Sequence, residues 1–563
     1  MTARPETKPP ILAAEKYLTA LTNGGVDALY AVAGTDFPSV IEAYARAPET
    51  GAKLPRPYTV PHENLAVSMA HGDALHTGRP QTAMVHVSVG TANMVCGALN
   101  AILKEYIKML TTEDGAPGTR SRFIHWAQEM FDQGGMIREA VKWDYELRDS
   151  EQVEDVAIRA LDIAQAPPPG PVYLSLPREL LAREVSPNEP ARRRSHVSVS
   201  TPEAAAIDRL ADAIRKAEYP MIVTSNSGRD PGATEALAAL AELWALPVIQ
   251  YNARSVNLPF DHPMAVGFDT RDLLAPADLI ISIACDVPWV PSVTRPRPTA
   301  QLWEIDHDPL FTRYPLRSFP AVESIIAGPT AALTSLALSL GEPGRDDTTR
   351  IDRRRMAVAR QRAFRLTPEM IDMSRFTAES ASAVLAAQLP GDAVVVNEYS
   401  FRTALARFER PGQFYGFTPA GGLGFGFGAA LGVAAANARS TEASGPVVAM
   451  LGDGAYMFNN PVACHWASAA HKLPVLSVIF NNRRWGAVRN STLAMYPQGA
   501  AAGDDGMLLA DLSPSPDYAA IARAHGGQGI TVKDISALPA AIDQALAAVA
   551  GGTQCLLDLQ IEE

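Results

Sequence analysis

The sequence predicts an α/β protein made of three domains, each built on a doubly wound parallel sheet. The chain has 563 residues, a length that favours about three domains. Short apolar segments typical of buried strands alternate with longer segments of helical periodicity through three successive regions. Polar stretches separate these regions. We therefore predict domains over residues 1–185, 201–340 and 371–563.

The composition indicates an ordinary globular protein. Apolar residues make up 47% of the chain and charged residues 20%, without a run of about 18 apolar residues or the apolar core of a signal peptide. The formal net charge of −12 disfavours nucleic-acid and anionic-membrane partners. The four cysteines are scattered, as in reduced cytosolic proteins. We predict a cytoplasmic protein without nucleic-acid or membrane partners.

In the first region, two polar residues follow predicted strands. The strand-like segment DALYAVAGT leads into a glycine turn at Gly34, followed by Thr35. A strand ending at Val60 leads into an alanine-rich helix with Glu63 in its first turn. A carboxylate there favours the helix dipole by about 0.3–1 kcal/mol, and Thr35 suits a helix N-cap. Each residue is therefore either a helix-start residue or a site residue.

The second region lies between two polar segments. Residues 186–200 form a polar linker, and residues 341–370 form a charged, partly helical connection. Between them the strand-like segments PMIVTSNS, LIISIACD and QLWEID alternate with helix-like ones. This is a second α/β pattern of similar size to the first.

The third region contains the most informative pair of motifs. PVVAMLGDG and PVLSVIFNN read as parallel strands joined by a crossover helix, which brings Asp453 and the Asn481–Asn482 pair to the same edge of a sheet. Carboxylate, amide and carbonyl oxygens suit Mg²⁺ that carries a phosphorylated ligand. Gly452 and Gly454 would let the chain approach a diphosphate closely. The alternative is ordinary turn chemistry, because Asp-Gly and Asn-Asn are common in turns.

Taken together, these motifs resemble the thiamine diphosphate (ThDP)-dependent enzymes. The resemblance rests on the His-Glu helix start, on GPVYLSLPREL at 170–180, on GGLGFGFGAALG at 421–432 and on the GDG…NN unit. The resemblance spans nearly the whole chain. Within the superfamily, the chain is similar to the acetolactate synthase large-subunit branch. The resemblance implies PYR, central and PP domains in that order. It also implies a homodimer or homotetramer with active sites at subunit interfaces.

The resemblance implies ThDP and Mg²⁺ as cofactors and assigns residues to them. Asp453, the side chain of Asn482 and the backbone carbonyl of Arg484 would bind the metal. Glu63 would contact the aminopyrimidine ring and promote its imino tautomer. The cofactor would further be bound by Gly421, Gly422, Phe425, Gly452 and Gly454, with Phe425 as the apolar residue that keeps the cofactor bent.

Three residues are candidates for the substrate side. By position, Thr35 falls where related decarboxylases carry a polar residue. The segment HWAQEMFDQ at 125–133 resembles a Phe-Gln-Glu segment of acetolactate synthases, which places Gln128 near the substrate. His125 stands where aldehyde-releasing decarboxylases carry a His-His pair, and it is alternatively a structural histidine.

The resemblance implies decarboxylation of a small 2-oxo acid, with carboligation of the enamine to a second carbonyl. A simple decarboxylase, a 2-hydroxyacyl-CoA lyase and a non-catalytic regulatory subunit are the alternatives. Two segments depart from the family. ISIACDVPWVPSV lacks the arginine with which acetolactate synthases bind FAD, so FAD is doubtful. Residues 101–115, AILKEYIKMLTTEDG, look helical where the family has a strand, which is either missing or disguised.

Overall fold

The computed structural model describes residues 10–101, 107–113, 128, 130–187, 194, 195, 197–442, 444–504 and 507–562, and of 107–113 only the backbone. Three six-stranded parallel sheets confirm the predicted fold class. None of the helices in these ranges combines the length and the apolar character that crossing a membrane requires.

The N-terminal sheet has the strand order β3-β2-β4-β5-β7-β6, and a separate antiparallel pair joins β1 to β8. Its elements are β1 Ile11–Leu12, α1 Ala13–Asn23, β2 Ala28–Ala31, α2 Pro38–Thr50, β3 Arg56–Thr59, α3 Glu63–Thr77, β4 Gln81–His86, α4 Val87–Ala101, β5 Ile107–Glu113, β6 Asp144–Glu146, α5 Val153–Gln165, β7 Val172–Pro177, α6 Arg178–Leu181 and β8 Glu184–Val185.

The segment at 101–115, which looked helical from its sequence, contains strand β5. This strand pairs in parallel with β4 on one side and with β7 on the other, so the family's strand is disguised rather than missing. Apolar spacing is a weak guide here, because the pairing of two neighbouring strands overrides local propensity.

The central sheet has the strand order β11-β10-β9-β12-β13-β14. Its elements are α7 Ala204–Lys216, β9 Pro220–Thr224, α8 Ala233–Trp244, β10 Val248–Ile249, β11 Ala265–Gly267, β12 Leu279–Ile283, β13 Gln301–Asp306, β14 Glu323–Ile326, α9 Pro329–Leu340 and α10 Arg345–Arg362. After β12, Asp286 pairs with Arg254 at 2.6 Å and accepts a hydrogen bond from the Tyr314 hydroxyl at 2.8 Å.

The C-terminal sheet has the strand order β16-β15-β17-β18-β20-β19, which repeats the order of the N-terminal sheet strand for strand. Its elements are α11 Ala378–Gln388, β15 Val394–Glu398, β16 Phe414–Tyr415, α12 Gly426–Asn437, β17 Val447–Gly452, α13 Asp453–Phe458, α14 Pro461–His471, β18 Leu476–Asn481, α15 Gly486–Met495, α16 Tyr518–Ala524, β19 Gln528–Val532, α17 Leu538–Ala550 and β20 Cys555–Gln560.

Helices α3 and α12 join the N-terminal and C-terminal domains. A Cβ atom on Gly72 would overlap the backbone of Ala429, and one on Gly432 would overlap that of Met69, so this close packing requires glycine at both positions. The buried ion pair between Asp73 and Arg439, at 2.6 Å, closes one end of the interface. The two sheets are thus held at a fixed distance by their equivalent helices.

Candidate active site

A cavity of about 530 Å³ opens at the carboxyl ends of the C-terminal sheet. The strand order reverses between β15 and β17, which is where open α/β sheets bind ligands. The walls come from the residues after β15, β17 and β18, from the glycine-rich segment and from the start of α15. They include Glu398, Tyr399, Ser400, Gly421, Leu423, Gly452, Asp453, Gly454, Asn482, Arg484 and Trp485.

Asp453 follows β17 directly and is 2% exposed. Its Oδ1 accepts a hydrogen bond from the N–H of Gly454 at 2.8 Å, whereas its Oδ2 is buried without a hydrogen-bond partner in the described ranges. Burial raises the pKa of this carboxyl to about 6, against the lowering effect of nearby backbone N–H groups. A buried carboxylate oxygen without a donor is suited to a cation.

The loop after β18 brings further oxygen atoms to Asp453. Strands β17 and β18 pair in parallel, and both Asn482 and Arg484 line the same cavity as Asp453. The Asn482 Oδ1 accepts the N–H of Arg484 at 3.2 Å. Asn481 points elsewhere and donates to Asp558 at 2.8 Å. The structure therefore brings the three predicted metal ligands together and leaves Asn481 to support the turn.

The glycines on either side of Asp453 keep the cavity floor free of side chains. A Cβ atom on Gly454 would overlap the ring of Trp485, and one on Gly452 would lie 3.1 Å from the hydroxyl of Ser400. Gly454 thus packs directly against the Trp485 ring, and Gly452, which lines the cavity without a side chain, allows a phosphate group to approach the backbone closely.

The glycine-rich segment forms another wall, and here one predicted position needs correction. Gly421 and Leu423 line the cavity. Phe425 is 1% exposed, and its ring packs against His71 with the centroids 4.8 Å apart. Because Gly424 between them has a φ of 93°, the chain turns and directs Phe425 into the core. Leu423, and not Phe425, is therefore the bulky apolar residue that this segment presents to the cavity.

Glu398 is a cavity residue that our sequence analysis missed. It ends β15 and is fully buried. It accepts hydrogen bonds from the N–H groups of Gly424 and Gly426 at 2.8 and 2.7 Å and from the Asn459 amide at 2.9 Å. Burial raises its pKa despite these donors. The sequence did offer one indication of this residue: it is an acidic residue at the end of β15, where the strand order of the sheet reverses.

Glu63 lies at the start of α3, as predicted, and is partly exposed. The side chain of Asn93, on α4, donates to its Oε2 at 3.0 Å. Glu63 is not among the residues that line the cavity of its own chain. Glu63 and Asp453 of the same chain therefore do not line one common cavity among the described residues.

A second group of polar side chains lies at the carboxyl edge of the N-terminal sheet. The buried carboxylate of Asp36 is 2.7 Å from the Nδ1 of His86, and the Nε2 of His86 is 3.4 Å from the Gln128 amide nitrogen. Val87, directly after His86, has a φ of 36°, which is a strained conformation for a β-branched residue. His86 was not singled out from the sequence, because it lies inside the strand-like segment at 82–90, and Asp36 was noted only as part of the turn that carries Thr35.

The other predicted substrate-side residues have mixed outcomes. Gln128 is partly buried and its carbonyl accepts the Ser88 hydroxyl at 2.8 Å, so it lies beside His86. The backbone carbonyl of Thr35 accepts a hydrogen bond from Arg178 at 3.4 Å, at the turn that also carries Asp36. His125 lies outside the described residues.

The cavity fits ThDP and Mg²⁺ on its own chemistry. Asp453 supplies a buried oxygen that lacks a donor, and Asn482 and Arg484 supply amide and backbone oxygens, a hard set that suits Mg²⁺ completed by phosphate oxygens. Clusters of three or more His, Cys, Asp or Glu side chains that could bind a metal do not occur in the described ranges.

Three family models match the chain in succession. Residues 13–136 match the N-terminal TPP binding domain of thiamine pyrophosphate enzymes, residues 207–336 match their central domain, and residues 398–558 match their C-terminal TPP binding domain. These ranges contain Glu63, His86 and Asp453.

Known proteins of several activities are similar to the chain. Benzoylformate decarboxylase of Pseudomonas aeruginosa is 27% identical over 86% of this chain and 89% of its own length. The large subunit of acetolactate synthase isozyme 3 of Escherichia coli is 24% identical over 89% of this chain and 87% of its own. The crystal structure of benzoylformate decarboxylase from Polynucleobacter necessarius superposes with a TM-score of 0.82 at 21% identity, covering 98% of both chains.

Proposed function

The chain belongs to the thiamine diphosphate-dependent enzymes and is of their 2-oxo-acid decarboxylase type, and from this premise we propose that it removes CO2 from a small 2-oxo acid and releases the remainder as an aldehyde. The observation that carries the proposal is the presence of two polar sites in one chain. One is the Asp453 cavity, and the other is the Asp36–His86 pair on the N-terminal domain.

ThDP, when bound, supplies a nucleophilic carbon and an electron sink for decarboxylation. Asp453, Asn482 and the Arg484 carbonyl would hold Mg²⁺ and through it the diphosphate. Leu423 would support the bent conformation that we first expected of Phe425. Glu63 would hold a proton against the aminopyrimidine ring.

His86 is the residue that would protonate the decarboxylated carbon. A hydrogen bond to Asp36 would keep a proton on Nδ1, which leaves Nε2 to exchange a proton with the substrate. The Oδ1 atom of Asp36 is 2.7 Å from the Nδ1 atom of His86, and Asp36 is 1% exposed. A proton source of this kind favours aldehyde release over coupling.

We propose a homodimer, or a homotetramer of such dimers, in which each cavity meets the N-terminal domain of another chain. Glu63 and His86 lie on the edge of one sheet, and Asp453 lies on the edge of another, without sharing a cavity in one chain. Symmetric association would complete two equivalent sites at once.

Carboligation, as in acetolactate synthase, is the second candidate function. The observation that favours it is Gln128, whose neutral amide lies beside His86. An amide there could orient the carbonyl of an acceptor without acting as an acid.

We propose that neither decarboxylation nor carboligation by this protein requires FAD. The absorbance spectrum of the purified protein checks this.

The test is CO2 release from a panel of aliphatic and aromatic 2-oxo acids with ThDP and Mg²⁺, with products identified by mass spectrometry. CO2 with an equal amount of aldehyde supports the proposal. CO2 with a hydroxyketone or acetohydroxy acid supports carboligation instead. Cofactor binding without CO2 release from any acid contradicts both and directs the search to 2-hydroxyacyl-CoA cleavage. Absence of ThDP binding would indicate a non-catalytic regulatory subunit.

A further inference from the structure

Along residues 421–424, positions that line the cavity alternate with positions whose peptide groups bond to protein side chains. Gly421 and Leu423 line the cavity. The peptide groups of Gly422 and Gly424 are directed at protein side chains: Gly422 at Asn100, and Gly424 at Glu398 through its N–H and at Asn64 through its carbonyl. This alternation decides which groups a ligand in the cavity meets.

Asn100 makes the most complete of these contacts. It is 2% exposed and belongs to α4 of the N-terminal domain. Its Nδ2 donates to the Gly422 carbonyl at 2.9 Å, and its Oδ1 accepts the Gly422 N–H at 3.1 Å and the Thr418 hydroxyl at 2.8 Å. One buried carboxamide thus pairs with both polar groups of a single residue in another domain.

The fit at Gly422 leaves little room for a different arrangement. A Cβ atom there would lie 2.7 Å from the Sγ of Cys96 and 2.9 Å from the Asn100 Oδ1. Both neighbours are on α4, whose preceding residue is His86 and whose Asn93 donates to Glu63. A single helix therefore contacts the glycine-rich segment and also the carboxylate of the proposed activating residue.

We propose that Asn100 is a positioning residue for cofactor activation: by pairing with both polar groups of Gly422, it turns the Gly421 carbonyl and the Leu423 side chain toward the cavity. This rests on the proposed function, in which the cavity holds ThDP. Asn100 itself does not contact the cofactor. It acts through the backbone that the aminopyrimidine ring meets.

The experiment measures two quantities on the full-length protein with ThDP and Mg²⁺. The first is the Kd for ThDP, from quenching of tryptophan fluorescence. The second is the rate at which the C2 hydrogen of bound ThDP exchanges with deuterium, from acid-quenched NMR. The variants are Asn100→Ala and, as a milder change that leaves Asn100 in place, Thr418→Val. The matched control is Asn437→Ala, which removes the interdomain contact of 2.8 Å to His76 at the opposite end of α12.

We expect Asn100→Ala to bind ThDP nearly as well as the wild type, because the diphosphate contacts are intact. Its C2 exchange should be slower by roughly 10- to 100-fold, since small errors in position are costly in rate. Thr418→Val should slow exchange less, and Asn437→Ala should not slow it. If Asn100→Ala does not fold, Thr418→Val alone decides.

Three results would overturn the proposal: unchanged exchange in the Asn100 and Thr418 variants, weaker ThDP binding with unchanged exchange at saturation, or equal slowing by Asn437→Ala. Failure of the wild-type protein to accelerate exchange over free ThDP would contradict the proposed function itself. The two failures are therefore distinguishable.

Discussion

The N-terminal and C-terminal domains share one strand order, but different chemistry follows their equivalent strands. Among the strands of each six-stranded sheet, the third in chain order is β4 in the N-terminal domain, which ends at His86, and β17 in the C-terminal domain, which is followed by Asp453. The helix after the second strand starts with Glu63 in one domain and with a glycine-rich segment in the other. One topology therefore carries the groups that we propose exchange protons in the first domain and the groups that we propose bind a cation and a phosphate in the second.

This difference shows that the shared fold supplies position and the strand-end residues supply function. Both edges also carry strained residues. Val87, Tyr399 and Arg483 have φ values of 36°, 74° and 58° and follow β4, β15 and β18. Such conformations cost of order 1–3 kcal/mol each and persist where surrounding contacts impose them. Both edges thus carry backbone strain directly after their strands.

Replacement of the cation ligand should have the largest effect. Asp453→Asn keeps the size of the side chain and removes the charge, so we expect affinity for ThDP with Mg²⁺ to fall by at least about 100-fold and activity to be lost with it. Isothermal titration with ThDP measures this, and Asp534→Asn, on the surface of the same domain, is the control. Normal ThDP affinity in Asp453→Asn would remove Asp453 from the site.

The proton-handling edge should fail in a different way. Glu63→Gln should bind ThDP normally and lose about 10²–10⁴-fold in kcat, the range of general acid–base catalysis. Substantial activity in this variant would contradict the role of Glu63.

Mixing the two inactive variants then tests whether the two edges meet between chains. If they do, co-refolded Glu63→Gln and Asp453→Asn chains form mixed dimers with one intact site each, which restores about a quarter of wild-type activity. If each site lies within one chain, the mixture stays inactive.

His86→Gln should have a smaller effect than Glu63→Gln. It keeps a hydrogen-bonding side chain but removes the titratable ring, so aldehyde release should slow by about 10²-fold while ThDP binding is unchanged. Product analysis should also show a larger share of coupled products, because protonation no longer competes. Unchanged rate and products would mean that the Asp36–His86 pair is structural.

The smallest expected effect concerns pH and stability. Burial lowers the pKa of His71, in α3, to about 3 and that of His465, in α14, to about 4. The unfolded chain binds these protons near pH 6.5 and the folded chain does not, so stability is complete above about pH 6.5 and falls as the pH drops, by up to about 1.4 kcal/mol per pH unit for each histidine.

Thermal unfolding at about pH 7.5 and 5.5 measures this dependence. His71→Gln should show a smaller fall in Tm between the two values than the wild type. His471→Gln, at a partly exposed histidine, is the control and should show the wild-type fall. An equal fall in all three proteins would mean that folding does not lower the pKa of His71.

The sequence predicted the fold class and the meeting of Asp453, Asn482 and Arg484, but several features of the site escaped it. Asp453 and Asn482 follow adjacent parallel strands, and the geometry of one βαβ unit suffices to bring them together. Leu423 was confused with Phe425, because a two-residue shift in a turn is invisible without its backbone. The Asp36–His86 pair was missed, since it joins two different strand ends.

What the sequence determined by itself was local: the alternation of strands and helices, the glycine turns and the order of motifs, all of which follow from neighbouring residues and their periodicity. Tertiary structure decided that residues 107–113 form a strand, because β4 and β7 flank them. It also decided which face Gly422 presents. Asn100 reaches Gly422 across 322 positions of the chain, and a contact of that separation has no signature in local sequence.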